Sequence, residues 1–411
     1  MASKPPRLEL SQWSREVKTE PIVVALTRAR TRADDQCMAA ALEDLLSMLG
    51  DPLATLGHGQ TVLIKPNLFQ VADGFHVSPA LISAIAKAVV ERGAKPVVAE
   101  RTHNIYKILH AHSVHRYARV VSLDDLPLRV TAIPEATSLR VPLALPDLVL
   151  DCDYFIGVPQ LRTHASVIYS NAMKNLVGLL PGYTTRIVHM AGVDESTVDL
   201  NLLRHQDLVI CDGTSVIEGN YPMAGDLREV GFLAASTNAL ALDVAVGELA
   251  GFVPSEVTYL RDAHRRGMGP LHLTDISLRG TPLDELRFDM RKAPTEIKVP
   301  RSGIYVYADN ACEACRRYIA GALHALSSEL SGWHGEMTII AGSQADLPTL
   351  RGSVVLVGNC LYESRDMGIF VEGCPPRAIQ IAAFRYAMGK AVSAHERTQF
   401  RVPAAVEFSP A

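Results

Sequence analysis

Residues 61–100 read TVLIKPNLFQVADGFHVSPALISAIAKAVVERGAKPVVAE. Thr61–Lys65 is an apolar, β-branched run that stops at Pro66-Asn67, so a strand is expected to end there. Ser78-Pro79 opens a helix, because a hydroxyl caps free N–H groups and proline suits the first helical position. The apolar pattern continues to Arg92, and Gly93 supplies the C-terminal cap. Lys95–Ala99 is the next strand. This β–loop–α–β order joins parallel strands through a covering helix, which makes the chain α/β.

The same alternation extends in both directions. Pro21–Leu26, Tyr154–Val158, Leu208–Cys211 and Glu229–Leu233 read as strands, and Gln36–Leu49 and Leu240–Leu249 as helices. Thr281–Val299 loosens into charged residues with Pro282, Pro294 and Pro300 around it, and reads as a linker. Beyond it Gly303–Ala308, Met337–Ala341 and Val354–Val357 are expected strands, with Arg316–Leu330 and Pro376–Met388 as helices. The expectation is a large α/β domain over 1–290, with a parallel or mixed sheet covered on both faces, and a smaller α/β domain over 300–411.

Composition narrows the function. The chain has 411 residues, 48% hydrophobic and 20% charged, which is a globular balance with ample core. A net charge of −4 gives no basic footprint for nucleic acid, and 6% aromatics offer no stacking platform for single strands. Met1–Thr19 is polar, so no secretory signal is expected, and no apolar run approaches the ~20 residues of a membrane span. A reducing, cytoplasmic setting is therefore expected, in which the seven cysteines do not form a disulfide framework. There is no Walker A loop, no G-x-G-x-x-G after a strand, no G-x-S-x-G elbow and no H-E-x-x-H.

Four cysteines stand where strands end or helices begin. They are Cys312 and Cys315 in Cys-Glu-Ala-Cys, Cys360 after Gly358-Asn359, and Cys374 in Gly373-Cys374-Pro375-Pro376. In an open parallel sheet such positions converge on one crevice. Four thiolates gathered there need a compensating cation or cluster, and helix N-termini favour an anionic one. An all-cysteine zinc site is the alternative at these four residues, but a Cys-Pro pair favours iron–sulfur ligation. Cys37, Cys152 and Cys211 lie in apolar surroundings and are expected in the core.

This pattern resembles the cluster-binding motif of the nickel–iron hydrogenase small subunit. Through Gly373-Cys374-Pro375-Pro376-Arg377 it also resembles the related cluster-bearing subunit of respiratory complex I. The resemblance implies a 4Fe–4S cluster on Cys312, Cys315, Cys360 and Cys374 in a flavodoxin-like domain, as its cofactor-binding and metal-ligating residues. One departure is the spaced pair Cys312/Cys315, where complex I has adjacent cysteines.

The larger domain carries polar clusters at its expected strand ends: Lys65-Pro66-Asn67, Arg162-Thr163-His164 and Asn171-Ala-Met-Lys174-Asn175. His189, Asp199-x-Asn201, Asp212-Gly213 and Glu218-Gly219-Asn220 follow. Basic and amide side chains there suit a carboxylate or phosphate, and histidines titrate near neutrality. The bland alternative for each residue alone is a solvated charge or a hydrogen-bonded core group. In their order these motifs are similar to the family called domain of unknown function 362, whose members often join this domain to an iron–sulfur module, usually ferredoxin-like. Val77-Ser78-Pro79 departs from the family's Thr-His-Pro.

The reading is an iron–sulfur oxidoreductase, most simply a reductase. Lys65, Asn67, Arg162, Thr163, Asn175, Asn201 and Asn220 would bind a small anionic substrate, and His164, His189, Lys174, Asp212 and Glu218 would be catalytic. The expected partners are that substrate and an electron-donor protein, with no nucleic acid or membrane and with self-association left open. The alternatives are a cluster-carrying electron-transfer or assembly partner without its own substrate, and a non-redox lyase or transferase with a structural metal.

Overall fold

The computed structural model describes residues 21–29, 32–68, 70–110, 112–222, 224–294, 296–343, 348–374, 376, 380–398 and 400–403. Among the described residues twelve strands precede the linker: β1 (Ile22–Arg28), β2 (Thr61–Pro66), β3 (Lys95–Glu100), β4 (Arg119–Ser122), β5 (Leu128–Thr131), β6 (Leu143–Pro146), β7 (Tyr154–Val158), β8 (Gln160–His164), β9 (Ile168–Ser170), β10 (Leu208–Asn220), β11 (Ala224–Ser236) and β12 (Ile276–Gly280). The main sheet runs β12-β1-β11-β10-β7-β2-β3-β4, with β8 and β9 attached beside β10. Along this path only β11 opposes its neighbours. The sheet is thus mixed but mostly parallel, as expected for an α/β chain.

Period-2 alternation explains the two covered faces. Val62 and Ile64 of β2 face one core with the Asp35–Met48 and Pro79–Glu91 helices. Leu63 faces the opposite core with the Val193–Leu203 and Ala239–Leu249 helices. The caps read from sequence are in place: Ser78 Oγ accepts from Leu81 N at 3.3 Å, and Asp34 caps the earlier helix.

After the linker come β13 (Ile304–Tyr307), β14 (Met337–Ala341), β15 (Ser353–Val357) and β16 (Ile369–Val371), all parallel and adjacent in chain order. A flavodoxin-like sheet exchanges its first two strands, and this one does not. Ile319 and Leu323 of the Glu313–Ala325 helix pack on Ile339, Val355 and Phe384 in a separate core.

Three local expectations change. The expected Arg316–Leu330 helix is two, Glu313–Ala325 and Ser327–Ser331, broken at Leu326. The expected Pro376–Met388 helix is described over Gln380–Ala387, and Pro376 stands instead in a bridge to Gly373; Pro375 and residues 377–379 lie outside the described residues. Cys152 and Cys211 are buried as expected, but Cys37 is only half-buried. Among the described residues no helix is long and apolar enough to cross a membrane.

Candidate functional site

The carboxyl ends of the parallel strands form one edge, and the polar motifs gather there. Lys65, the fifth residue of β2, is wholly buried. Its ammonium lies 3.0 Å from Glu100 Oε2 at the end of β3, and it donates to Asn175 Oδ1 at 3.0 Å and to the Pro66 carbonyl at 3.2 Å. Asn175 returns a hydrogen bond to the Lys65 carbonyl at 3.1 Å. Burial lowers the Lys65 pKa, and Glu100 opposes that shift. A Cβ on Gly178 would stand 2.8 Å from the Lys65 ammonium, so glycine is required for this approach. Lys65 and Asn175 therefore knit two loops together, with their polar atoms used by the chain itself.

The loop that carries Lys174 is clamped from two helices. Asp243 accepts from the N–H groups of Ala172 at 2.7 Å and Met173 at 3.1 Å. Asn201 donates to the Met173 and Thr197 carbonyls at 2.9 and 2.8 Å. Burial pushes the Asp243 carboxyl up to about 7, against these backbone donors. Lys174 itself is half-buried; desolvation brings its ammonium down to about 8, with Asp194 opposing and Arg162 adding to the shift. Asp194, at the start of the Val193–Leu203 helix, is pushed up to about 6 by burial and by the neighbouring Glu195.

Strand β8 supplies the next three groups. Arg162 donates to Tyr221 Oη at 2.7 Å, the Phe75 carbonyl at 2.9 Å and Gln160 Oε1 at 2.9 Å, and stacks over the Tyr221 ring. Its Nε is buried without a partner among the described residues. Thr163 is consumed by the Gly219 carbonyl at 2.8 Å. His164 Nδ1 lies 2.9 Å from Ser166 Oγ, and the ring meets Tyr221 edge-on.

The remaining sites divide by burial. Asp212 is wholly buried, accepting from Ser78 N at 2.6 Å and from the Thr214 N–H and hydroxyl at 3.0 and 2.6 Å. It anchors the start of the Pro79–Glu91 helix, so the expected catalytic carboxylate is a fixed acceptor here. Glu218 points toward the linker, pairing with Arg228 at 3.4 Å and accepting from Arg291 N at 3.1 Å. Asn67 is half-buried and its Oδ1 has no partner among the described residues. His189 belongs to the Thr185–Ala191 helix, but its side chain lies outside the described residues.

The four cysteines follow β13, β15 and β16. Cys312 stands at the N-cap position of the Glu313–Ala325 helix without a side-chain capping bond, and Cys315 lies in that helix's first turn. A hydrogen bond from Cys315 holds the Cys312 thiol down at about 6, while that bond, burial and the other thiols push Cys315 far up. Cys315 senses the charges of Cys312, Cys374 and Cys360, and Cys374 those of Cys312, Cys360 and Glu195. Among the described residues no three His, Cys, Asp or Glu side chains are grouped closely enough to hold one metal ion. Gly358 leaves room beside the thiols: a Cβ there would stand 3.4 Å from Cys315 Sγ.

The two sheets meet at this edge. Asn220 donates to the Gly321 carbonyl at 2.7 Å, Tyr318 hydrogen-bonds Ser166, and Asp194 faces Arg317 as well as Lys174. Sequence reading missed Glu100, Ser166, Asp194, Asp243 and Tyr318. A carboxylate in the middle of the apolar Ala239–Leu249 helix, on a turn otherwise made of Leu, Ala and Val, was the available signal for Asp243.

Fold and site together define an α/β protein with two main sheets and a small β5–β6 ribbon, whose polar strand-end loops lie beside the segments that carry four cysteines. The chain belongs to the family described as domain of unknown function (DUF362), whose profile matches residues 62–248. It is 30% identical over 245 residues to a thylakoid-associated protein of Synechocystis sp., covering 57% of this chain and 76% of that relative. The matched segment holds every polar motif from Lys65 to Asn220 and leaves the four cysteines outside it. Among solved structures, the lactate racemase apoprotein of Thermoanaerobacterium thermosaccharolyticum is similar at 13% identity and a TM-score of 0.38, over 84% of this chain and 73% of that one. A Thermotoga maritima protein is similar at 12% identity and a TM-score of 0.35, over 76% and 72%.

Proposed function

We propose that this chain is an iron–sulfur oxidoreductase of the reducing cytoplasm, acting on a small anionic substrate at the seam between its two sheets. Cys312, Cys315, Cys360 and Cys374 would hold a 4Fe–4S cluster. The observation that carries the reading is placement: Cys312 and Cys315, Cys360 and Cys374 stand in the segments that follow β13, β15 and β16, at one end of a parallel sheet. Their donor set of four thiolates and the space left by Gly358 fit such a cluster. When bound, the cluster supplies single electrons.

The chain's own residues do the rest. Lys174, near neutral pKa and backed by Arg162, attracts a carboxylate or phosphate into the seam. Asp194, with a carboxyl near 6, holds or gives up a proton at neutral pH beside Lys174. Asp243 and Asn201 keep the Lys174 loop from moving, and the Lys65–Glu100 pair supports it from beneath.

The test is anaerobic purification, with iron, sulfide and zinc analysis and EPR before and after dithionite, on the wild type and each Cys→Ala variant. A reducible iron signal lost in the variants is expected. A colourless protein that takes up zinc and no iron after reconstitution would overturn the reading.

A second reading follows from exposure. Cys312 and Cys360 are exposed, which suits a cluster-carrying partner that passes electrons to another protein, supplied in turn by an electron donor. Lys174→Met separates the two, since it abolishes turnover of a bound anion but spares electron transfer between proteins.

A further inference from the structure

Three arginines from distant parts of the chain, Arg28, Arg228 and Arg287, stand around one cleft of about 220 Å³. Arg28 ends β1 and lies opposite Phe232 of β11, the strand that also carries Arg228. Arg287 follows the Leu283–Leu286 helix, in a segment fastened beside β11. There the Phe288 N–H donates to the Leu249 carbonyl at 3.0 Å, and Arg228 donates to the Asp289 carbonyl at 2.8 Å. The cleft lies between that segment and β11. Phe288 and Val230 are partly buried and form its apolar side, with the buried Phe232 ring behind Phe288 at 6.2 Å between centroids. The Arg228 guanidinium covers the Phe288 ring at 5.2 Å from its centroid.

Carboxylates match these arginines poorly. Arg28 Nη2 donates to the Glu285 carbonyl at 2.8 Å but stands 3.4 Å from the Glu285 carboxylate. Arg228 stands 3.4 Å from Glu218, and Arg287 Nε stands 3.5 Å from Asp284. A charge-assisted pair closes to about 2.7–2.9 Å. This chain makes such pairs elsewhere: Arg92 donates to both Asp51 oxygens at 2.9 and 2.8 Å, and Arg385 to Glu329 at 2.7 Å. Around the cleft the short bonds of Arg28 and Arg228 go to neutral carbonyls, which fix the side chains and leave their charge uncompensated. Each guanidinium has more N–H donors than these contacts use, and all three side chains are about half exposed. The carboxylates lining the cleft are Glu229 and Glu285, so its cations outnumber its anions.

We propose that this cleft is a second binding site, for a small organic carboxylate with a flat apolar body: the carboxylate sits on Arg28 and Arg287, and the body lies against Phe288 and Val230. Arg228 is the fixed wall, because its plane is already stacked on Phe288 and tied to the Asp289 carbonyl. The volume falls below the roughly 300–1,000 Å³ of a drug-sized site, so the ligand is of single-ring size. None of the lining residues belongs to the seam of Lys174 and Asp194 or to the cysteine segments, so the site is independent of the proposed reaction.

Benzoate is the probe, with benzamide as its uncharged counterpart and inorganic phosphate as charge without an apolar body. Calorimetric titration of the full-length protein at low ionic strength measures affinity, and saturation-transfer NMR reads contact with the benzoate ring. Benzoate is expected to bind, with benzamide and phosphate each weaker by about tenfold or more, the scale of one charge-assisted hydrogen bond or of the lost ring contact. Arg28→Met and Arg287→Met are each expected to weaken benzoate about tenfold, and Phe288→Ala to reduce saturation of its ring protons. Thermal melting checks that the variants fold; Arg287 reaches only the exposed Asp284, so its replacement spares the core. Lys174→Met is expected to leave the arginine-dependent binding unchanged. Absence of benzoate binding, phosphate or benzamide binding as tightly, or benzoate binding that survives both arginine changes and is lost in Lys174→Met would each overturn the proposal. The titrations need no cluster, so this failure is distinct from failure to bind iron.

Discussion

Lys65 and Glu100 form a buried ion pair of 3.0 Å between the ends of two adjacent parallel strands. Neither charge has water to fall back on, so each depends on the other. Lys65→Met should leave the Glu100 carboxylate unpaired and cost about 3–5 kcal/mol. Adding Glu100→Gln should recover most of that loss, because a neutral pair of similar volume needs no counter-charge. Urea unfolding of the two variants and the wild type measures it. A single variant as stable as the wild type would show that the pair is not buried as described.

The fold around this pair was largely legible, and the pair was not. Thr61–Lys65, Ser78-Pro79 and Gly93 each act through their nearest neighbours, so propensity and capping located β2, the covering helix and β3 to within a residue or two. Glu100 is 35 positions from Lys65, and Asp212 meets Ser78 across 134. Such contacts depend on strand register and crossover, which no local pattern encodes. The polar motifs are therefore recognisable as unusual, while their division into clamps such as Asn201 and half-buried groups such as Lys174 depends on the tertiary structure. Cys312, Cys315 and Cys360 were legible as strand-end residues because β13 and β15 are short apolar runs with sharp ends, whereas β16, which Cys374 follows, is only three residues long and was not read from the sequence.

Asp243 makes stability depend on pH with a definite sign. Its carboxyl titrates at about 7 in the folded chain and in the ordinary carboxylate range when unfolded. Between those values the folded state binds the extra proton, so stability is full below the window and falls as pH rises toward 7. At about 1.4 kcal/mol per unit, the loss reaches a few kcal/mol. Asp243→Asn, which cannot titrate, should close on the wild type as pH rises from 5 to 7.5 in urea unfolding. A constant gap between the two proteins over that range would contradict the assignment.

Lys174 should stand out among the lysines in its reactivity. With a pKa of about 8 it is half neutral at that pH, where exposed lysines remain charged. Reductive methylation followed by peptide mass spectrometry across pH 6.5–9.5 should give Lys174 a midpoint near 8. The Asp194 charge raises this pKa, so Asp194→Asn should move the midpoint lower. A midpoint that stays fixed in the variant would show that Asp194 does not face Lys174.

Gly358 tests the cysteine edge from its backbone. It holds φ 95° and ψ 155°, a conformation all but confined to glycine, and an added Cβ would stand 3.4 Å from Cys315 Sγ and 3.7 Å from the Gly373 carbonyl. Gly358→Ala combines that strain with crowding of a thiol, and should cost about 1–3 kcal/mol on the strain alone. If the four cysteines hold a cluster, the same change should also lower iron content after anaerobic reconstitution, because Cys315 and the loop to Cys360 can no longer approach together. Gly389 is the control: it also has a positive φ, at 75°, but no atom lies within 4 Å of an added Cβ. Gly389→Ala should therefore impose a positive φ on alanine without crowding a thiol, and keep full iron content. Equal iron content in both variants would place the cluster elsewhere and leave Gly358 with a purely conformational role.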